Sequence, residues 1–319
     1  MGKYIMNRIV TVITTLIILS LIIFSITHIM SGDPALAMLG SDATTTQVEE
    51  LREEMGLNEP LSAQYINWVS DAIHGDLGDS YFRHQTVTAV LMERIGPSLI
   101  LAFWSELIAL VIGIPLGIIA ARKKGELTDI FASSTALLGM SMPSFLLGLL
   151  LILIFGVNMN ILPVSGYVTI EKGGLLEHIR YLVIPCVTMG LIQSALIMRI
   201  TRSSFVEILS MDYIKTAKAK GLKEKVILYK HVFRNAGATI VTILGQSFGS
   251  LIAGVAVLET MFNIPGMGQL IVDSVLKRDY PVIQGAVLFV SLIYVVINLL
   301  VDLSYGFIDP RIRVTSGSK

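Results

Sequence analysis

Charge is scarce in this sequence. Lysine, arginine, aspartate and glutamate make up 15% of 319 residues, and 24 basic against 24 acidic side chains leave no net charge. That balance excludes the strongly basic surface a nucleic-acid partner requires. Cysteine is nearly missing as well. Cys186 stands alone in an apolar stretch, with no disulfide partner in the sequence and no thiolate cluster for a metal. The histidines His28, His74, His84, His178 and His231 are scattered without ligand spacing. No Gly-x-x-x-x-Gly-Lys-Ser/Thr run occurs, so the sequence offers no phosphate loop for ATP. Paired carboxylates and nucleophile motifs are absent too, as are internal repeats and low-complexity tracts.

What remains is apolar. Hydrophobic residues make up 53% of the chain and the mean hydropathy is +0.73, values that place it in a membrane. Crossing a hydrocarbon core of roughly 30 Å takes about 20 mostly apolar residues. Six stretches qualify: Ile9–Met30, Ser98–Ala121, Ile130–Val157, Tyr181–Met198, Gly237–Leu258 and Val282–Val301. Lipid offers the backbone no hydrogen-bond partner, so the expected fold is an all-α integral membrane protein with six transmembrane helices. Five stretches hold no charged residue, and the second holds Glu106. Lys3 and Arg8 flank the first, and Ala35-Leu36-Ala37 loosely resembles a signal-peptide cleavage site. Its 22 uncharged residues nevertheless exceed the apolar core of about 7–15 residues typical of a signal peptide, so it reads as a retained anchor.

Basic residues are segregated. With the N-terminus inside, the cytoplasmic segments hold 17 of the 24 lysines and arginines, including Arg122, Lys123, Lys124, Arg311 and Arg313. The positive-inside rule therefore places both termini in the cytoplasm. Residues 1–97 read as the first helix plus an extracytoplasmic insertion, in which Thr46–Met55 and Ala63–Ile73 are short amphipathic helices. Residues 98–313 read as a five-helix core and 314–319 as a tail. A long cytoplasmic connection, residues 199–236, carries nine basic residues against three acidic ones, and its length implies local folding or function.

Within that connection, Asp212 suits an N-cap or first-turn position and Gly221 the left-handed residue just past a helix end. Thr216, Ala217 and Ala219 are small enough to let another protein approach closely, while Lys215, Lys218 and Lys220 keep the rest soluble. Val226, Tyr229, Val232 and Phe233 then form a stripe suited to packing beneath the bundle.

The segment Asp212-Tyr213-Ile-Lys-Thr216-Ala217-Lys-Ala219-Lys-Gly221 resembles the coupling motif of bacterial ABC importer permeases, with Gly221 and Ala217 at its glycine and second alanine. Lys215 and Thr216 replace the motif's Glu and Ala, a departure shared with the peptide/nickel branch, as is the ending His231-Val-Phe-Arg234-Asn235-Ala236. Further likenesses to the B-type permease of the dipeptide/oligopeptide/nickel family are Gly75-Asp-Leu-Gly-Asp-Ser80, Glu93-Arg94-Ile-Gly-Pro-Ser98 and Leu162-Pro-Val-Ser-Gly166. The most specific is Glu259-Thr-Met-Phe262-Asn-Ile-Pro265-Gly266-Met-Gly268, followed by Arg278-Asp279-Tyr280-Pro281, Gln284-Gly285 and a closing Asp309-Pro310-Arg311-Ile-Arg313. The resemblance implies a type I ABC importer permease fold and a heterodimer with a second permease subunit. It also implies two partner ATPase subunits that bind ATP and Mg, an extracytoplasmic substrate-binding protein, and no cofactor or metal on this chain. Its implied cargo is a peptide, with nickel or a metal chelate as the alternative.

Polar residues inside the spans are candidates for a substrate pathway, namely Glu106, Gln193, Gln246 and Ser250, with Ser247 and Asn298 nearby in type. Gly113 and Gly117 share one face of the second span and permit close helix contact. Phe262, Pro265, Gly266 and Gly268 read as an external structural loop, with Ile264, Leu270, Ile271 and Val275 laid against the membrane. Pro115, Pro143 and Pro185 are expected to bend their helices. Two other classes stay open on residues alone, an ion-gradient-driven secondary transporter and a membrane scaffold that moves nothing. The single intramembrane acid and the lack of a repeat count against the first.

Overall fold

The computed structural model describes residues 2–29, 33–40 and 42–308; the closing motif from Asp309 to Arg313 lies outside them. Among the described residues the regular structure is helical, apart from one antiparallel bridge between Asp79 and Thr86. Four helices are long and apolar enough to cross a membrane, and two bent pairs bring the number to six if each pair is one span. The chain divides into two compact units.

One unit comprises Leu99–Ile264 and the chain from Val296 on. It contains most of α5 (Val87–Arg122) and all of α6 (Leu127–Ser141), α7 (Ser144–Leu151) and α8 (Ile170–Leu209). It continues through α9 (Asp212–Ala219), α10 (Glu224–Val226), α11 (Phe233–Gly254) and α12 (Ala256–Phe262). The third apolar stretch is not one straight helix. Proline disfavours a helical conformation in the residue before it, and Met142 is extended at φ −79° and ψ 127°. The chain turns by 101° there before α7 and the π-helical turn Ile152–Asn158. A second break, of 50°, separates α11 from α12. Pro115 and Pro185, by contrast, lie inside α5 and α8, which continue past them.

Two kinds of contact hold α8 in place. Against α5 the spacing is so small that a Cβ on Gly113 would lie 2.8 Å from the Ser194 carbonyl oxygen, and one on Gly117 would lie 2.7 Å from that of Met198. Only glycine permits this approach. Against α6 there is an ion pair that the sequence reading missed, because Asp129 falls one residue short of the third stretch. Arg202 Nε and Nη2 donate to Asp129 Oδ1 and Oδ2 at 2.5 and 2.7 Å, while the Gly125 N–H and the Ser133 hydroxyl also donate to the carboxylate. The Asp129 side chain is 5% exposed, so every acceptor position it offers is used inside the protein.

The other unit comprises Gly2–Ser98 and Pro265–Val295. It holds α1 (Gly2–Ile29), α2 (Pro34–Leu39), α3 (Thr45–Glu54), α4 (Leu61–Ile73), the start of α5, α13 (Met267–Lys277) and the start of α14 (Tyr280–Ile308). Thr44 and Gln47 form a reciprocal capping box at the start of α3. Ser20 bonds Tyr65 at 2.9 Å and His28 bonds Gln64 at 3.0 Å, so α4 folds back on α1. Gln284 Nε2 donates to Thr27 Oγ1 at 3.0 Å, a buried polar tie between α1 and α14. Much of the rest of α1 shows bare Ile, Leu and Val side chains, the surface expected of a helix in lipid. The sequence puts a boundary at residue 97; the second unit also takes in residues 265–295.

Candidate functional site: a seated surface helix and a buried polar chain

The segment Arg199–Ala236 is folded throughout. α8 carries on to Leu209, α9 follows, and a short helix opens into a π-helical turn at Ile227–Val232 before α11. Asp212 occupies the first turn of α9, where its carboxylate favours the positive helix end, but it makes no cap bond. Instead Lys215 Nζ donates to it at 2.8 Å. The helix closes with the Leu222 N–H donating to the Ala217 carbonyl (3.3 Å) and the Gly221 N–H to that of Lys218 (2.9 Å). Gly221 has φ +76°, the left-handed residue of a Schellman ending.

α9 has two faces. Ile214 and Ala217 are buried in an apolar cluster with Phe205 and Ile208 of α8, Ala121 of α5, and Ile227, Leu228 and Val232 of the π turn. Tyr213, Thr216, Ala219 and Gly221 stay exposed beside Lys215, Lys218 and Lys220. Ala217 therefore faces its own chain rather than outward, since its small side chain fits beneath the helix. The stripe expected from Val226, Tyr229, Val232 and Phe233 shifts as well. Val232 is fully buried, but Tyr229 is 73% exposed, and the buried set runs Ile227, Leu228, Val232, Ala236. The π turn has more residues per turn than an α-helix, so the 3.6-residue period used on the sequence drifts off the packed face.

Three predicted pathway residues meet inside the helices. Gln193 on α8 donates from Nε2 to Ser247 Oγ (2.8 Å) and Ser250 Oγ (3.1 Å), both on α11. Ser247 Oγ in turn donates to Oε2 of Glu106 on α5. Glu106 is 6% exposed, and its Oε1 is buried with no hydrogen-bond partner. No lysine, arginine or histidine pairs with it among the described residues. Ser247 is the link that joins Gln193 to Glu106. Gln246 does not join this chain of bonds; it points from the neighbouring position of α11 to an exposed face.

The external-loop residues are built into the packing of their units. The Phe262 carbonyl accepts from the Gly166 N–H at 2.6 Å, and its ring lies 3.5 Å from where a Cβ on Gly148 would stand. Asn263, at φ +51°, ends α12 in the left-handed conformation. Pro265 is half-buried, Gly266 precedes α13 and is buried, and Gly268 is buried in its first turn. Leu270 and Met267 pack on Val87, Val90, Leu91, Val282 and Ala286, with Ile271 alongside, so this face meets protein rather than lipid. Ser98 Oγ accepts from the Met267 N–H at 2.8 Å. Asp279, 2% exposed, accepts from the Ser80 hydroxyl at Oδ2 and from the Tyr81 N–H at Oδ1 (3.2 Å). Burial, with Asp279 beside it, pushes the Tyr81 phenol up to about 12. Motifs distant in sequence thus meet in pairs, 162–166 with 259–264 and 75–80 with 278–281.

Four long apolar helices and two bent apolar pairs, with a short polar helix seated on them and a hydrogen-bonded chain within them, define a class, a multi-pass membrane protein. Residues 113–314 match the family of binding-protein-dependent transport system inner membrane components, and residues 1–102 match the N-terminal model of such membrane components. The chain belongs to that family. It is 41% identical over 313 residues to a probable peptide ABC transporter permease protein of Sinorhizobium fredii, covering 98% of this chain and all of the relative. Two Escherichia coli proteins are similar over 98% of this chain and 99% of their own length. The glutathione transport system permease protein GsiC is 39% identical and the dipeptide transport system permease protein DppB 37%. An inward-facing structure of the MetNI methionine ABC transporter aligns with a TM-score of 0.58 at 17% identity, over 69% of this chain and 96% of that one. That likeness is one of fold, the type I importer permease fold.

Proposed function

We propose that this chain is a permease subunit of an ATP-driven importer of short peptides and that α9 is the element through which partner ATPases act on it. The observation that carries the coupling role is the two-faced seating of α9. Ile214 and Ala217 anchor it in a cluster shared with α8, α5 and the π turn, while Tyr213, Thr216, Ala219 and Gly221 are left open to another protein. A force on the open face enters the bundle through a packed contact, not through a slack loop. In this reading α9 and both termini lie on the cytoplasmic side and a second permease subunit completes the pathway. Two ATPases bind ATP and Mg, and an extracytoplasmic binding protein delivers the cargo. The cargo class follows the relatives, whose names specify peptides, glutathione and dipeptides and so favour peptides over nickel. Gln193, Ser250 and Glu106 then mark this subunit's share of the pathway, with Gln246 on an exposed face one position from Ser247.

The test is uptake of a labelled dipeptide into proteoliposomes holding the complete transporter and its binding protein. ATP sealed on the ATPase side should drive accumulation without any ion gradient. Uptake that follows an imposed gradient and ignores ATP would place the chain among secondary transporters instead.

A further inference from the structure

α11 carries an exposed face unlike that of α5. Between Asn235 and Ser250 its exposed residues are Asn235, Thr239, Gln246 and Ser250, all polar and none charged. At about 100° per residue the four fall within an arc of about 60°, and half-buried Thr242 borders it. The exposed residues in the apolar stretch of α5, among them Phe103, Leu107, Val111, Leu116 and Ile119, are apolar or aromatic. Hydroxyls can satisfy themselves on their own helix, and two here do so. Thr242 Oγ1 donates to the Ala238 carbonyl and Ser250 Oγ to that of Ser247, both at 2.8 Å. A glutamine amide has two donors and an acceptor oxygen, and that of Gln246 bonds nothing among the described residues. It stands about 14 Å along the helix from Gly237, where the apolar stretch begins, and so near mid-membrane. A bare amide at that depth is too costly for lipid to be its neighbour. The stripe therefore meets water or another polypeptide.

Two features favour water that carries cargo. Packed helices in membranes bring small residues together, as Gly113 and Gly117 do against α8, whereas the stripe holds neither glycine nor alanine. Its rungs are also evenly spaced. Asn235, Thr239, Thr242, Gln246 and Ser250 follow one another at no more than four residues, about 6 Å along the axis. An extended dipeptide is roughly 7 Å long, so its backbone N–H and C=O groups reach one rung before leaving the last. Gln193 of α8, bonded to Ser250 at 3.1 Å, widens the wall at that end. Charge is kept off it. α11 has no ionisable residue between Asn235 and Ser250. Glu106 is 6% exposed and the Ser247 hydroxyl that bonds it is buried, so the carboxylate stays behind the wall. We infer that the stripe is this subunit's wall of the aqueous path and passes peptides without reading the charge of their side chains. This rests on the peptide-import reading above and specifies how this subunit treats the cargo. A charged rung would hold one end of a zwitterion and hinder release, while hydroxyls and amides bind a backbone weakly enough to let it go. A helix of the second permease subunit laid along the stripe is the competing occupant.

The experiment uses the complete transporter and its binding protein in proteoliposomes. Thr239→Cys, Gln246→Cys and Ser250→Cys are compared with Val111→Cys on the apolar face of α5, with Cys186→Ala removing the native thiol. A charged, water-soluble methanethiosulfonate should modify the three stripe positions about tenfold or more faster than Val111→Cys, because only a hydrated thiol ionises enough to attack it. Stripe rates no faster than that control, both without nucleotide and with ATP and vanadate, assign the face to the second subunit and overturn the inference. Uptake is then compared for lysyl-leucine and glutamyl-leucine, each saturating the binding protein. The unsubstituted transporter should move them at rates within about threefold of each other. Gln246→Lys should slow lysyl-leucine about tenfold relative to glutamyl-leucine, and Gln246→Glu should do the reverse. A gap of tenfold or more in the unsubstituted protein, or an unchanged ratio in both variants, overturns the inference. Where a charged variant does not assemble, the cysteine rates decide. ATP-driven dipeptide uptake with an unreactive stripe sinks the inference alone, whereas a reactive stripe without uptake of any peptide sinks the import reading and the cargo assigned to the wall.

Discussion

At the scale of single residues, two buried acids of the core unit, Asp129 and Glu106, make opposite predictions. Asp129 is saturated by Arg202, Gly125 and Ser133. Removing its carboxylate strands the Arg202 guanidinium, which is 27% exposed, and breaking such a pair costs about 3–5 kcal/mol. Asp129→Ala should therefore lower the thermal unfolding temperature of the detergent-solubilised protein strongly, and adding Arg202→Met should recover part of the loss. Additive losses in the double variant would mean that the two side chains act independently. Glu106→Gln should leave that temperature unchanged or raise it, because it keeps the shape of a buried acid whose Oε1 has no hydrogen-bond partner. Glu106 was legible in the sequence because it interrupts an apolar run. Asp129 was not, because it sits at the edge of one, and its partner is 73 residues away.

At the scale of elements, α9 separates seating from docking. Ala219→Glu alters only the open face and should leave the unfolding temperature within about 1 kcal/mol of stability while abolishing ATPase association or coupled transport. Ala217→Glu forces a carboxylate into the cluster around Phe205 and Ile227, and it should lower stability as well as coupling. Copurified ATPase and thermal unfolding, measured on the same two samples, tell these apart. Equal loss of stability in both would mean that α9 has no open face. The start and stop of α9 could be read from Asp212 and Gly221 because capping chemistry is local. Which small residue faced inward could not, since that depends on where α8 and the π turn place their side chains. The short helices of the insertion were legible from their amphipathic pattern, with α3 at Thr45–Glu54 and α4 at Leu61–Ile73. The 101° break at Pro143 was anticipated only as a bend. Hydropathy sums are blind to direction.

At the scale of the whole molecule, the recurring motifs act as fasteners within each unit. Asp279 holds both the Ser80 hydroxyl and the Tyr81 amide, so Asp279→Ala leaves two buried donors unmet, at about 1–3 kcal/mol each. Limited proteolysis should then cut between residues 75 and 86 faster than in the unsubstituted protein. Unchanged cleavage would show that the hairpin stands without this anchor. Orientation has its own test, helped by the chemistry of Cys186, which is buried and poorly placed to react. Cysteine introduced at Lys218 should label with an impermeant maleimide only from the cytoplasmic side, and cysteine introduced at Asn58 only from the opposite side. The reverse pattern would invert the topology and remove α9 from the reach of ATPases.

The part of α8 that follows its kink at Gly174 sets the gearing of any such machine. Phe205, which touches the seat of α9, and Gln193, which heads the buried chain of bonds, sit on one rod about 18 Å apart at 1.5 Å per residue. Over that lever arm, a tilt of about 10° pivoting at Phe205 sweeps Gln193 sideways by about 3 Å, enough to part a hydrogen bond from its acceptor. A rocking motion too small to unpack the rod at its pivot therefore suffices to part Gln193 from the two α11 serines at the far end, leaving Ser247 alone with Glu106.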